Sequence, residues 1–185
     1  VTDLGTLEGF AERRGVTVDL TDKKALTALE DASAFIRGYT GQVITQVTDD
    51  TVALDGTGLA TIILPQTPVA GVSEAKTLDW EDTEYEVTSL RVSRFGILRR
   101  MDGYAWPVGM ANVVITYDHG WETVPPDIAA VCYDLAAENY VATGGGAVTS
   151  LTLGNSSVTY DAATVGSAEL PETIRYVLDC YRVTQ

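Results

Sequence analysis

The strongest pattern in the chain runs from Val113 to Tyr140, V-V-I-T-Y-D-H-G-W-E-T-V-P-P-D-I-A-A-V-C-Y-D-L-A-A-E-N-Y. Val113, Val114, Ile115, Thr116 and Tyr117 are β-branched or aromatic, which predicts a strand. Asp118, His119 and Gly120 break it. Pro125-Pro126-Asp127 then reads as a helix start, because proline suits a first turn and an acid suits the positive end of the dipole. Ile128, Val131, Cys132 and Leu135 recur at helical spacing, and Ala129, Tyr133, Ala136 and Tyr140 form a second stripe. Little purely polar face is left, so this helix is expected to be covered on two sides, with Leu135 inside.

The same periodicities divide the rest of the chain. Thr2 or Asp3 is expected to cap a short first helix carrying Leu4, Leu7, Phe10 and Ala11 on one face. Arg13 and Arg14 lie in its last turn and Gly15 stops it. Gly5 and Gly9 weaken that helix, so it needs tertiary support. Thr21 is read as the cap of a longer helix over 22–39. Ala25, Leu29, Ala32 and Ile36 form its stripe, and Leu26, Phe35 and Tyr39 widen it.

Over 42–117 the pattern changes to short extended runs: 42–48, 60–64, 69–79, 84–88, 97–99 and 112–117. Asp55-Gly56 and Asp102-Gly103 read as turns between them. Trp80, Trp106 and Trp121 are expected to anchor this β-rich module. Beyond Tyr140, Gly144-Gly145-Gly146 reads as a flexible joint. Residues 151–160 read as a β-hairpin turning at Gly154-Asn155. Pro171 opens a last helix with Ile174, Val177, Leu178 and Tyr181 on one face, covered either by its own core or by a neighbour. The fold class that results is α+β: a helical core, an inserted β-rich module, a β-hairpin and a C-terminal helix. The expected layout is one domain over 1–185, divided at 1–41, 42–117, 118–141, 142–168 and 169–185.

Composition narrows the function. The chain has 185 residues, 45% hydrophobic and 21% charged, which suits a globular domain. No apolar run approaches bilayer-spanning length, and no signal peptide is expected from a start that carries Asp3 and Glu8. Twenty-six acidic residues against 12 basic give a net charge of −14. That balance disfavours a DNA clamp or a membrane-surface role, both of which use basic patches. Cys132 and Cys180 fall at apolar helical positions and are read as small buried hydrophobes. No CxxC or CxxH pair supports a zinc site.

No catalytic constellation emerges. His119 is the only histidine; it is read as a turn residue with a solvated ring, and no G-x-S-x-G accompanies it. Asp49, Asp50 and Asp55 lack the calcium-loop order and are read as turn acids. Gly144 to Gly146 lack the lysine of a phosphate loop. Glu81, Asp82 and Glu84 give a loop charge cluster with no positive support for a glycosidase pair. Neither a cofactor nor a metal is expected, and a structural or binding role is.

Taken in order, several segments resemble the head–tail connector (adaptor) proteins of long-tailed bacteriophages. D-L-G-T-L-E-G-F-A-E-R-R-G and L-E-D-A-S-A-F-I-R-G-Y-T-G (29–41) are similar to that family's two N-terminal helices. I-I-L-P-Q-T-P-V-A-G-V (62–72) is similar to its proline-punctuated strands, and I-T-Y-D-H-G-W-E-T-V-P-P-D-I (115–128) leads into its core helix. L-G-N-S-S-V-T-Y (153–160) before a terminal Y-R-V resembles its hairpin and last helix.

The resemblance implies a non-enzymatic homo-oligomeric ring, a dodecamer, made in the host cytoplasm and placed in the virion at the head–tail interface. Its partners would be the portal protein, a stopper or tail-completion protein, and double-stranded DNA passing through the lumen without specific binding. No membrane is implied. Leu151, Leu153, Val158, Tyr160, Ile174, Val177, Leu178 and Tyr181 are the candidate assembly contacts. The competing class is a cell-surface or carbohydrate-binding module, which needs aromatics exposed in a row, whereas a connector needs them mostly buried.

Overall fold

The structure, a computed structural model, describes residues 3–15, 21–78, 87–143, 151–153, 156–158 and 170–182. The fold is α+β and forms two compact units, Val1–Gly41 with Val124–Thr184, and Gln42–Thr123.

The first unit is helical: α1 Leu7–Arg14, α2 Lys23–Thr40, α3 Pro126–Thr143 and α4 Glu172–Cys180. Caps set its boundaries. Thr6, not Thr2 or Asp3, caps α1 by accepting the Gly9 N–H at 3.1 Å. The start shifts because the residues before it are used otherwise: Leu4 is buried and its N–H donates to Ser33 Oγ at 3.0 Å. Asp22, not Thr21, caps α2 by accepting the Lys24 N–H at 2.9 Å. Gly15 and Gly41 end the two helices in left-handed conformation.

The α2 stripe of Ala25, Leu29, Ala32 and Ile36 is buried, together with Ala28. Leu26 and Phe35 are exposed, so the buried stripe is narrower than expected. On α3, Ile128, Val131, Cys132, Ala136 and Ala137 are buried, while Leu135 is only half-buried. Small side chains on both helices permit the close α2–α3 approach. Gly5 and Gly9 make room for the ring of Tyr133, which a Cβ at either position would strike. Gly5 lies before α1 and costs that helix nothing; the cost of Gly9 is offset by that packing, by the Thr6 N–H bond to Tyr133 Oη and by the Arg13–Asp134 ion pair at 2.9 Å. Between α3 and α4, β7 Leu151–Leu153 pairs antiparallel with β8 Ser156–Val158, the expected hairpin. The 144–146 glycines lie outside the described residues.

The second unit has two three-stranded antiparallel sheets. The larger has the order β1–β6–β3, from β1 Val47–Gly56, β6 Gly109–His119 and β3 Val69–Thr77. The smaller has the order β2–β5–β4, from β2 Thr61–Ile63, β5 Ile97–Arg100 and β4 Leu90–Val92. Alternation sorts their faces. Val113, Ile115, Tyr117 and His119 of β6 point inward and are at most 1% exposed. Ile62 and Leu98 point inward from the smaller sheet, and one core joins them to Ala75, Trp106 and the β6 residues.

Several expectations for this unit are corrected. The first strand covers Val47–Gly56 rather than 42–48. Residues 42–46 are held instead by the Gln42 side chain, which binds Pro65 O and Thr67 N, and by a single bridge between Thr45 and Trp121. Asp49, Asp50 and Asp55 are therefore strand residues, tolerated because β1 is an edge strand with one face in solvent. Gly56 ends β1 rather than making a turn, and a Cβ there would strike the Pro107 carbonyl. Val87–Ser89 is a 3₁₀ turn, with the unforeseen β4 after it. The tryptophans divide: Trp106 is fully buried, Trp121 is half-buried beneath Arg94, and Trp80 lies outside the described residues.

Two substitutions check this packing. Leu29→Ala should cost about 2–5 kcal/mol in urea unfolding, through lost burial and a residual cavity. Gly120 has φ +86°, and a Cβ there would strike the Thr45 carbonyl. Gly120→Val should therefore cost about 1–3 kcal/mol or more, and a variant with the native melting temperature would contradict the placement of this turn.

Candidate assembly surfaces

His119 is neither solvated nor in a turn. It is the last residue of β6, 1% exposed, with Nε2 3.0 Å from Asp50 Oδ2 and its ring centroid 5.0 Å from that of Tyr117. The register opposite Val47 and Val69 carries the ladder as far as His119 and draws it in. Its Nε2 partner is a carboxylate and its Nδ1 has no partner among the described residues, so no serine or cysteine is hydrogen-bonded to it there. Cys132 is buried beside Ser33 in the other unit, where burial raises its thiol pKa. Cys180 is exposed, not buried, since it lies on the solvent side of α4. Among the described residues no group of His, Cys, Asp or Glu could hold a metal ion, and no helix is long and apolar enough to cross a membrane.

The candidate contact residues on α4 are placed unequally. Ile174 and Leu178 are buried within the helical unit, while Val177 and Tyr181 are half-buried. Tyr181 Oη donates to both Asp127 carboxylate oxygens, at 2.9 and 3.0 Å. Burial, then this bond, pushes its pKa up to about 12. Two more pairs of this kind link the helices: Tyr39 Oη to Asp179 at 2.9 Å, and Tyr140 Oη to Asp22 at 2.9 Å. The hydroxyl of Tyr140 holds the Asp22 carboxyl below its ordinary range, which keeps the α2 cap ionised. Leu151 pairs with Val158, and Leu153 with Ser156, in the hairpin backbone; Tyr160 lies outside the described residues.

The β unit holds the charge arrangement that sequence reading missed. Arg100 is 8% exposed and grips Asp102 through Nε at 3.2 Å and a second nitrogen at 2.6 Å. Its remaining nitrogen donates to the Ala105 carbonyl at 3.0 Å, and its guanidinium lies 5.4 Å from the Trp106 ring centroid. This fixes the 100–106 loop. On the outer face of the smaller sheet, Arg91 pairs directly opposite Arg99, and Ile63 opposite Ile97, all four exposed. On the outer face of the larger sheet, Asp118 accepts the Asp49 N–H at 2.8 Å, and Glu74 lies across from Thr116. Arg99 alternates with the inward Leu98 and Arg100, so strand parity could have found it; the register against Arg91 could not be read.

A helical unit and a unit of two antiparallel sheets define an α+β protein, and no catalytic constellation is assembled among its described residues. The family model for head completion proteins matches residues 3–184, so the chain belongs to the head completion protein family, of head–tail connector type. Three solved structures are similar in fold. A chain from the virion of a native gene transfer agent (GTA) particle superposes with TM-score 0.58 at 20% identity, covering 95% of this chain and 89% of that one. A chain from the neck of an empty GTA particle computed with C6 symmetry gives 0.55 at 19%, covering 95% and 89%. One from the neck of a native GTA particle computed with C12 symmetry gives 0.55 at 20%, covering 95% and 88%. No curated protein matches.

The Arg100–Asp102 pair yields a pH prediction. Its bond to Arg100 lowers the Asp102 pKa below the ordinary 3.8. A depressed carboxyl stabilises the fold above its unfolded pKa and loses that contribution as pH falls through the folded value. Wild-type urea midpoints should therefore fall more steeply than those of Asp102→Asn as pH drops from about 5 to about 2. Parallel profiles would show that Asp102 is not held by Arg100.

Proposed function

We propose that the protein is a non-enzymatic ring adaptor, a dodecamer beneath the portal that extends the DNA channel and joins the capsid to the tail or neck. The observation that carries this reading is the family match across nearly the whole chain. The fold shared with chains of GTA necks, one computed with C12 and one with C6 symmetry, supports a ring. The partners are the portal protein on one side and a stopper or tail-completion protein on the other. A net charge of −14 suits a lumen through which DNA slides without being held. A sugar-binding surface is disfavoured because Trp106 is fully buried and cannot stack on a ligand.

Ile174 and Leu178 are already covered in the chain's own unit, so their share in assembly is to place α4. The hairpin residues Leu151, Leu153, Val158 and Tyr160 are the better contacts for a portal or neighbouring subunit. A two-stranded hairpin is marginal alone and gains from an added partner.

Replacing 149–160 by a Gly-Ser linker should leave the melting temperature near wild type and abolish docking to a purified portal ring, seen by negative-stain electron microscopy. A variant that still docks and completes infectious particles would remove the hairpin from the interface. Wild-type protein that forms no ring, alone or with the portal, would contradict the adaptor reading itself.

A further inference from the structure

The β unit carries opposite charge on its two outer faces. The smaller sheet presents Arg91 opposite Arg99 and Ile63 opposite Ile97 on one face, and Phe95, beneath Arg94, is exposed in the β4–β5 turn. Ile63 is 71% and Phe95 74% exposed. Like charges directly opposite on a strand pair are destabilising, and neither arginine has an ion-pair partner among the described residues. Two exposed isoleucines beside two arginines without an ion-pair partner among the described residues, next to an exposed phenylalanine in the adjoining turn, have the composition of a protein interface, where arginine is enriched. A phosphate-binding surface has no use for Ile63 and Phe95.

The larger sheet turns its outer face the other way, because the same core lies between the two sheets. That face carries Asp49, Asp55, Glu74 and Asp118, against Lys76 paired to Glu74 at 3.1 Å. Asp49 and Asp118 are adjacent carboxylates, joined through the Asp49 N–H. One unit thus shows a basic, apolar face and an acidic face on opposite sides.

We infer that the outer face of the smaller sheet docks on the outer face of the larger sheet of a second copy of this chain, in a head-to-tail contact. A closed ring needs heterologous contacts, in which two different patches of one subunit complement each other. Two like faces would make a two-fold dimer instead. The inference rests on the ring reading and names the surfaces that would close the ring. Screening follows: the contact weakens as salt rises from about 0.1 to 0.5 M.

The test is a charge exchange read by native mass spectrometry. R91E/R99E makes both outer faces acidic, and Asp49→Lys with Glu74→Lys makes both more basic. Each variant alone should stay monomeric. Mixed in equal amounts they should recover wild-type oligomers with both chains in equal number, because each altered face now complements the other. Arg91 and Arg99 are exposed and bond nothing described, so thermal melting of R91E/R99E should match wild type. As a second reading, hydrogen exchange of the unaltered protein should protect 90–99 and 72–76 in the oligomer relative to dilute monomer. A wild-type ring that persists in both variants, without that protection, overturns the contact and leaves the ring standing. Wild type that stays monomeric at its highest soluble concentration, with no recovery in the mixture, overturns the ring reading and this contact together. Duplex DNA binding lost in R91E/R99E while rings persist would make the face a phosphate site and overturn the inference.

Discussion

A shortage of cations constrains the whole molecule. With 26 carboxylates and 12 lysines and arginines, most acids cannot be answered by an ion pair. The folded chain answers many with neutral donors. Tyrosine hydroxyls reach Asp22, Asp127 and Asp179; backbone N–H groups reach Asp22, Asp55, Asp102 and Asp118; the His119 ring reaches Asp50. Hydrogen bonds to a charged group are shorter and stronger than neutral ones. In the helical unit these bonds link α2 to α3, α3 to α4 and α4 to α2, so that each of the three helices is tied to both others.

Meeting acids with phenols and amides leaves the few arginines for special tasks. Arg13 fastens α1 to α3, and Arg100 fixes the loop that seats Trp106. Arg94 lies over Phe95 and Trp121. Among the described residues the Arg91 and Arg99 side chains bond no partner, and their juxtaposition costs stability. The cost is small in solvent, but it sets a positive patch on a strongly negative chain, a feature that local stability does not explain.

Legibility followed the strength of local periodicity. The α2 stripe at Ala25, Leu29, Ala32 and Ile36 and the α3 pattern from Ile128 to Ala136 stood out because each repeats over several turns. The hairpin pairing of Leu151 with Val158 was also visible, through its turn residues. β1 was not, since only Val52 and Leu54 mark its inner face and its partner β6 lies some 60 positions on. A bulge near Asp49, at φ +53°, further breaks the alternation. His119 was misread because D-H-G-W has turn composition, yet it continues the inward parity of Val113, Ile115 and Tyr117. The Tyr–Asp bonds, separated by 54, 118 and 140 positions, leave no local trace at all.

On the proposed adaptor reading, the protein also has to avoid assembling in the wrong place. On the ring reading, a charged contact screened by salt is weak between two free subunits, because it must offset the translational and rotational freedom lost on association. That cost would be largely met if a portal gathered subunits at one radius, as proposed, since each further contact would then be effectively intramolecular. Closure adds one more contact with no further subunit to immobilise. A strongly apolar interface would bind earlier and less selectively. The mixture on the smaller sheet, two arginines beside a few isoleucine and phenylalanine side chains, is graded between these limits. On the proposed reading it favours a ring formed where the template is, and the net acidic charge of the chain would discourage adhesion to DNA in the lumen.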